Sequence, residues 1–152
     1  MDDMDRKIIA FAQENGRAGL AEIGGAAGLS VSAANERLRK LQASGAIRGW
    51  RAEVDPAAAG LDLLAFVFVL LEGATRDAAF RAAVTALPAV LECHHVTGEW
   101  SYLLKVRVRN TAALEATMAT GIKPLPGVAR TLTLIALSSP KETACLPVAG
   151  AP

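Results

Sequence analysis

The chain has 152 residues, a formal net charge of +1 and a hydrophobic fraction of 52%. This composition excludes a disordered chain and a uniformly basic nucleic-acid binder, and the length allows one ordinary domain or two small ones. Two distant cysteines exclude a disulfide framework. The acidic N-terminus has no signal core and no apolar run is long enough to span a bilayer, so we expect a cytoplasmic protein with no membrane partner.

Three short helices are predicted before residue 48. The second runs from about Leu20 to Ala27, although Gly24 and Gly25 in its middle each cost roughly 1 kcal/mol relative to alanine. Gly28 turns the chain into a third helix within Leu29–Ile47. Two helices joined by a tight glycine turn are typical of a helix-turn-helix. The first helix carries an apolar stripe of Met4, Ile8, Phe11 and Ala12.

The third helix has a predicted N-cap at Ser30 and a glycine stop at Gly45. Its apolar stripe consists of Val31, Ala34, Leu38 and Leu41. The opposite face begins with small and hydroxyl residues and ends with cations, which suits a helix that enters a DNA major groove and touches phosphates. The predicted DNA contacts in and after this helix are Ser30, Ser32, Ala33, Asn35, Glu36, Arg37, Arg39, Lys40, Arg48 and Arg51.

Alternative interpretations of this helix remain open. Glu36 can accept from cytosine N4 in the groove, or it can pair with Lys40 four residues later. Arg37 lies at the edge of the apolar stripe and can cover the core instead of reaching DNA. The whole helix can also be an ordinary amphipathic surface helix with cations near its C-terminus.

A short basic segment follows the third helix. Residues Ile47–Val54 are predicted to be extended, which after a helix-turn-helix indicates a wing, with Arg48 and Arg51 on phosphates. A proline break comes next. We therefore predict a winged helix-turn-helix DNA-binding domain over residues 1–55 and a hinge over 56–62.

The second half alternates strands and helices in the order βαββαβ, which is typical of a ferredoxin-like unit and makes the whole chain α+β. Strands are predicted at Leu63–Leu71, Val90–Val96, Tyr102–Val108 and Val128–Leu137, and helices at Ala79–Leu87 and around Leu114, Met118 and Ile122. The first strand is apolar throughout, so both of its faces should be buried. Because two helices cover only one face of a sheet, a second copy of the chain is the economical cover for the other. This ferredoxin-like oligomerisation domain is predicted over residues 63–141, with a tail at 142–152.

Short motifs occur in a fixed order along these elements. They include Asp2-Asp3-Met4-Asp5-Arg6-Lys7-Ile8-Ile9, Gly28-Leu29-Ser30, Gly45-Ala46-Ile47, Val96-Thr97-Gly98 and Pro126-Gly127-Val128. With them, the chain from Asp3 to about Lys141 resembles the Lrp/AsnC family of bacterial and archaeal transcription regulators. The resemblance implies a sequence-specific regulator that binds a double-stranded DNA operator and forms a homodimer that assembles to a tetramer or octamer. It also implies that the second domain binds an amino acid or a related small metabolite.

The resemblance further implies an effector site built on Thr97, Gly98, Glu99, Trp100, Ser101, Tyr102, Thr131 and Thr133. A turn at Gly98 bares backbone N–H groups that can hold a carboxylate. The family's loop usually carries an acid where this chain has Ser101, which leaves Glu99 as the carboxylate for an α-ammonium group. Otherwise the effector lacks an α-amine, or there is none. Trp100 either suits an apolar effector side chain or packs against another subunit.

Other chemistry finds little support in the sequence. On a strand, Cys93 and His95 share one face and His94 points to the other, which is too few ligands for a tetrahedral metal site unless a dimer supplies more. No nucleophile–base pair or phosphate loop is present, so we predict no cofactor, metal or enzymatic activity. Two alternatives stay open. One is an architectural DNA-binding protein without an effector, and the other is an enzyme similar to sirohaem decarboxylases that uses His94 or His95.

Overall fold

The computed structural model describes residues 1–73 and 76–148, which fall into two compact units. The first unit contains Met1–Glu53 together with the segment that begins at Lys141, and the second contains Val54–Pro140. Residues 74–75 of the predicted second domain and 149–152 of the predicted tail lie outside the described residues.

The first unit is a bundle of three helices, α1 (Asp3–Glu14), α2 (Leu20–Ala27) and α3 (Val31–Ala43). Its core consists of Ile8, Ile23, Ala27 and Leu41, packed at helical spacing. Ser30 caps α3 as predicted, because its hydroxyl accepts from the backbone N–H of Ala33 at 3.3 Å. Gly45, with a φ of 77°, follows the end of α3, as expected of a glycine stop.

Gly24 allows α2 and α3 to meet closely. A Cβ at this position would lie 2.9 Å from the carbonyl oxygen of Leu29 and 3.4 Å from the Cβ of Ala34. The same joint is closed by the N–H of Leu29, which donates to the carbonyl of Gly24 at 2.8 Å. The glycine that weakens α2 as an isolated helix is therefore the residue that lets the joint form.

Two sequence predictions for this unit are wrong. Val31 is 51% exposed and takes no part in the core, whereas Ala34 and Leu41 on the same predicted stripe are buried. Residues 47–54 form no strand, and within the described part of the chain no second segment pairs with them to make a wing. Without a ladder partner, an extended segment leaves its backbone groups to solvent.

The predicted tail and hinge also differ from expectation. The segment from Lys141 belongs to the first unit, where the side chain of Gln13 forms two hydrogen bonds with the backbone of Leu146. The amide oxygen of Gln13 accepts from the N–H of Leu146 at 2.7 Å, and its amide nitrogen donates to the carbonyl of Leu146 at 3.0 Å. Residues 56–60 form a turn that belongs to the second unit. Side chain to backbone bonds across 133 residues cannot be read from local pattern.

The second unit consists of β1 (Leu63–Leu71), α4 (Asp77–Thr85), β2 (Val90–His95), β3 (Tyr102–Val108), α5 (Thr111–Ala116), a π-helical segment (Thr117–Ile122) and β4 (Val128–Ile135). The strands form one antiparallel sheet in the order β2-β3-β1-β4. The predicted α+β fold with a βαββαβ unit is confirmed, and the bounds of β1 and β3 match exactly.

The two faces of this sheet differ in burial. One packs against the helices, and the fully buried residues at this contact include Val67, Val69, Leu104 and Val106 of the sheet and Phe80 and Val84 of α4. The other face carries a partly accessible apolar patch on β1 and β4. Its members Phe66, Phe68, Leu70, Leu132 and Leu134 are half-buried or exposed, and we call them the open sheet face. Within one chain only the helix-covered face of β1 is buried, so burial of its other face by a second copy stays a prediction.

Candidate DNA-binding and effector sites

One side of α3 is exposed and polar. Its members Ser32, Asn35, Glu36 and Arg39 are all exposed, while Ala34 and Leu41 on the opposite side are buried. Because side chains three and four residues apart are neighbours on a helix, these four form one continuous surface, which we call the α3 face. The structure thus brings four of the predicted DNA contacts together.

Lys40 and Glu36 form an ion pair at the edge of the α3 face. Lys40 Nζ lies 2.6 Å from Glu36 Oε1, at the i, i+4 spacing considered in the sequence, and both side chains are exposed. The hydrogen bond from Lys40 and its charge lower the pKa of the Glu36 carboxyl. Glu36 is therefore ionised at neutral pH and neutralises a cation that could otherwise meet a phosphate.

Arg37 is held away from the α3 face by two acids at the start of α1. Its Nη1 donates to Asp2 at 2.7 Å and to Asp5 at 2.8 Å. These hydrogen bonds raise the pKa of Arg37, while the pKa of Asp2 is lowered by the backbone N–H of Asp5 and by Arg37. The structure gives Arg37 a role in joining α3 to α1, and its predicted contact with DNA stays a prediction.

The remaining predicted DNA contacts are not members of the α3 face. Ser30 acts as the helix cap, and its hydroxyl is also 3.1 Å from that of Ser32. Ala33 is half-buried and lines a groove together with Asp5 and Arg37. Arg48 and Arg51 are exposed on the irregular segment after α3, where their contact with phosphates stays a prediction.

The loop between β2 and β3 is anchored to the sheet by Ser101. Its N–H donates to the carbonyl of Val69 at 2.9 Å, and its hydroxyl accepts from the N–H of Leu71 at 3.1 Å. Gly98 has a φ of 106°, a conformation that favours glycine. Ser101 thus fixes one end of the loop, and its hydroxyl is engaged with the backbone of β1.

Arg130 of β4 connects this loop to the open sheet face. Its guanidinium forms an ion pair with Glu99 and lies 4.7 Å from the ring centroid of Trp100. The Trp100 ring in turn lies 5.9 Å from that of Phe68. Sequence reasoning missed Arg130, because only the β1–β4 register, which pairs Leu70 with Arg130, brings it to this end of the sheet.

The other predicted effector residues do not join this group within one chain. Thr131 and Thr133 pair with Val69 and Val67, so their side chains point to the helix-covered face, and the Thr133 hydroxyl lies 3.8 Å from the sulfur of Met118. Tyr102 is 2% exposed in one chain, and its part in effector binding stays a prediction. A role of Thr131 and Thr133 in effector binding stays a prediction.

Tyr102 is buried on the helix-covered side of the sheet, where it contacts aromatic and polar side chains. Its hydroxyl donates to Asp77 Oδ1 at 2.5 Å, and its ring lies 4.9 Å from Phe80 and 5.0 Å from the stacked ring of His95. Burial, followed by the hydrogen bond to Asp77, raises the pKa of Tyr102 to about 12. A second Asp77 oxygen accepts from Arg81 at 3.0 Å.

The chain contains one tyrosine, which makes this shift directly measurable. We expect the phenolate absorbance of the folded protein to rise with a midpoint near pH 12, against about pH 10 in denaturant. Because the folded state holds the proton more tightly, this tyrosine's contribution to stability is complete below pH 10 and declines as the pH rises towards 12. A midpoint near 10 in protein that is still folded by circular dichroism would contradict the buried hydrogen bond.

Cys93, His94 and His95 do not converge on one point. Cys93 is half-buried on the helix-covered side, His94 hydrogen-bonds Glu92 at 3.1 Å, and His95 stacks on Tyr102. Across residues 1–73 and 76–148, no three histidine, cysteine or acidic side chains are grouped to hold a metal ion. In the same residues, no helix combines the length and apolar character needed to cross a membrane.

Comparisons with known proteins cover both units. Residues 1–42 match the AsnC-type helix-turn-helix domain, and residues 64–146 match the Lrp/AsnC ligand binding domain. The HTH-type transcriptional regulator FL11 of Pyrococcus horikoshii is 36% identical over 148 residues, which cover 97% of each chain. The leucine-responsive regulatory protein of Escherichia coli is 34% identical over 145 residues, covering 94% of this chain and 88% of that one.

A solved structure is similar to this chain over almost its whole length. A transcriptional regulator of Neisseria meningitidis, crystallised as a complex with L-methionine, superimposes with a TM-score of 0.92 and is 31% identical, covering 97% of both chains. Two matched domains in the expected order, together with full-length identities above 30%, leave one conclusion. The chain belongs to the Lrp/AsnC family of DNA-binding transcription regulators.

Proposed function

We propose that this regulator reads DNA through the α3 face while a homodimer holds two such faces against one operator. The observation that carries the proposal is the exposed group Ser32, Asn35 and Arg39 on one side of a helix inside a matched helix-turn-helix domain. Serine and asparagine can bond to base edges, and arginine can bond to a base or to a phosphate.

The open sheet face supports the homodimer. Apolar surface left on a sheet favours association, and a two-fold axis lets the same patch on a second copy cover it. Phe66, Phe68 and Leu134 would then be buried, which matches the sequence expectation for β1. Further assembly to a tetramer or octamer stays a prediction.

The second unit is proposed to bind an amino acid at the loop Thr97–Ser101. The Neisseria relative binds L-methionine, and the Escherichia coli relative is named for its response to leucine. In this chain Glu99 is paired with Arg130. The pair therefore offers a carboxylate acceptor and a guanidinium donor to an amino acid, which carries both a positive and a negative charge. The ammonium group of the effector would pair with Glu99, and the effector's carboxylate would bind Arg130 or the backbone N–H groups around Gly98.

Glu99→Gln tests this arrangement. We expect the substitution to weaken binding of L-methionine or L-leucine by about 10-fold to 100-fold, because a charge-assisted contact contributes roughly 1.5–3 kcal/mol. Binding of the corresponding keto acids, which lack the amine, should be unaffected or improved because Arg130 is released. Calorimetric titration of both ligand classes against the wild type and the variant measures the difference.

Glu92→Gln is the matched control, since Glu92 is another acid of the sheet and is bonded to His94 and Lys105. It should leave amino-acid affinity unchanged. Equal binding of L-methionine by the wild type and Glu99→Gln would refute the ammonium role. If no amino acid or keto acid bound the wild type, an architectural DNA-binding protein without an effector would become the better description.

We infer a regulator and not an enzyme, because the relatives with full-length similarity are named as transcription regulators. Action on DNA also implies a cytoplasmic location. Selection of bound duplexes from a random-sequence library tests the regulatory function. A regulator enriches one sequence and binds it at least about a thousandfold more tightly than unrelated DNA, whereas an architectural protein shows little preference.

A further inference from the structure

Val31 is an exposed apolar residue that the proposed DNA contacts leave unused. It occupies the first position of α3 and is 51% exposed. Valine is stiff about χ1, so its two methyl groups can be presented to a partner at little entropic cost. Asn35 lies four residues later and therefore next to Val31 along the exposed side of the helix.

The other small residues of the first turn are occupied elsewhere. The hydroxyl of Ser30 accepts from the N–H of Ala33 and lies 3.1 Å from the hydroxyl of Ser32. Ala33 is half-buried in a groove beside Asp5 and Arg37. Val31 is thus the first-turn side chain that offers exposed methyl groups beside the α3 face.

We propose that Val31 is a specificity-determining residue that reads thymine through its C5-methyl group. The proposal rests on the proposed major-groove role of the α3 face. In that groove the methyl group is the apolar feature that marks a T·A pair, and asparagine pairs best with adenine. Four residues of helix span about 6 Å, close to two base-pair steps of ~3.4 Å. A half-site therefore carries a Val31-contacted thymine and an Asn35-contacted adenine about two steps apart.

Single replacement of thymine by deoxyuridine tests the contact, since deoxyuridine lacks only the methyl group. The full-length protein first selects its preferred duplex from a random-sequence library, and each thymine of that duplex is then replaced in turn. We expect replacement at one thymine per half-site to weaken wild-type binding about threefold, as for the loss of one buried apolar group. The Val31→Ala variant should bind the thymine and deoxyuridine duplexes equally.

Val31→Ala should fold normally because Val31 lies outside the core. Arg39→Ala is the control, and it should weaken binding to the thymine and deoxyuridine duplexes by the same factor. The proposal is overturned if the wild type ignores every thymine methyl, or if Val31→Ala still discriminates at the same position. If the library yields no enriched sequence, the proposed function is refuted as well. If a duplex is enriched but its binding does not depend on any thymine methyl group, only the role of Val31 is refuted.

Discussion

In sedimentation at micromolar concentration, we expect the Phe66→Asp variant to be a folded monomer and the wild type to be a dimer. Phe66 lies on the open sheet face, opposite Lys105 on β3 and Leu134 on β4. Because a two-fold interface contains each residue twice, the substitution would remove two aromatic rings from the interface and bury two carboxylates in it. Burying a charge is more costly than losing apolar contact, so the dimer should weaken by at least about a thousandfold, or roughly 4 kcal/mol.

Val67→Asp separates loss of association from loss of folding. Val67 is the neighbouring residue in β1, but its side chain is fully buried against the helices. A carboxylate there should unfold the second unit, with loss of its cooperative thermal transition. Persistence of the dimer in Phe66→Asp, or a monomeric wild type, would show that the open sheet face is not the interface.

The Arg39→Ala variant should bind every DNA sequence more weakly and with a shallower salt dependence. Arg39 is exposed on the α3 face, and among the described residues it has no ion-pair partner, in contrast to Arg37 and Lys40. A dimer that loses one phosphate contact per chain should show a slope of log K against log salt reduced by about 1.8. The same relation gives a loss of affinity of about 60-fold at 0.1 M salt.

Arg109→Ala is the matched control for charge, because Arg109 is an exposed arginine of the second unit. It should leave the salt slope of operator binding unchanged. Fluorescence anisotropy at several salt concentrations, on the selected duplex and on unrelated DNA, measures both slopes. An unaltered slope in Arg39→Ala, or an equal reduction in Arg109→Ala, would place the phosphate contacts elsewhere.

In both the effector and the DNA proposals, the acidic partners of an arginine determine what that arginine can bind. Arg37 is held by Asp2 and Asp5, and Arg130 is held by Glu99. The first pair joins two helices, whereas the second lies at an exposed loop, where both side chains are more than half exposed and can exchange partners. Only the second pair is therefore suited to respond to a small charged ligand.

Local pattern in the sequence determined the elements and their order. The continuous apolar run of β1, the alternation in β3 and the cap and stop of α3 place these elements within a residue or two of their observed bounds. Such features depend on residues within one or two turns or along one strand, where periodicity and capping act directly. The exposed surface of α3 could be predicted for the same reason.

Tertiary structure alone decided which groups meet. The β1–β4 register brings Arg130 to Trp100, and helix packing brings Asp2 to Arg37, across 35 residues of chain. The helices pack on one face of β1 only. Val67 is therefore buried and Phe66 is not, although both residues are apolar. Val31 is exposed although Ala34 and Leu41 of the same predicted stripe are buried. Composition and spacing cannot distinguish these outcomes, since each depends on packing between segments that are distant along the chain.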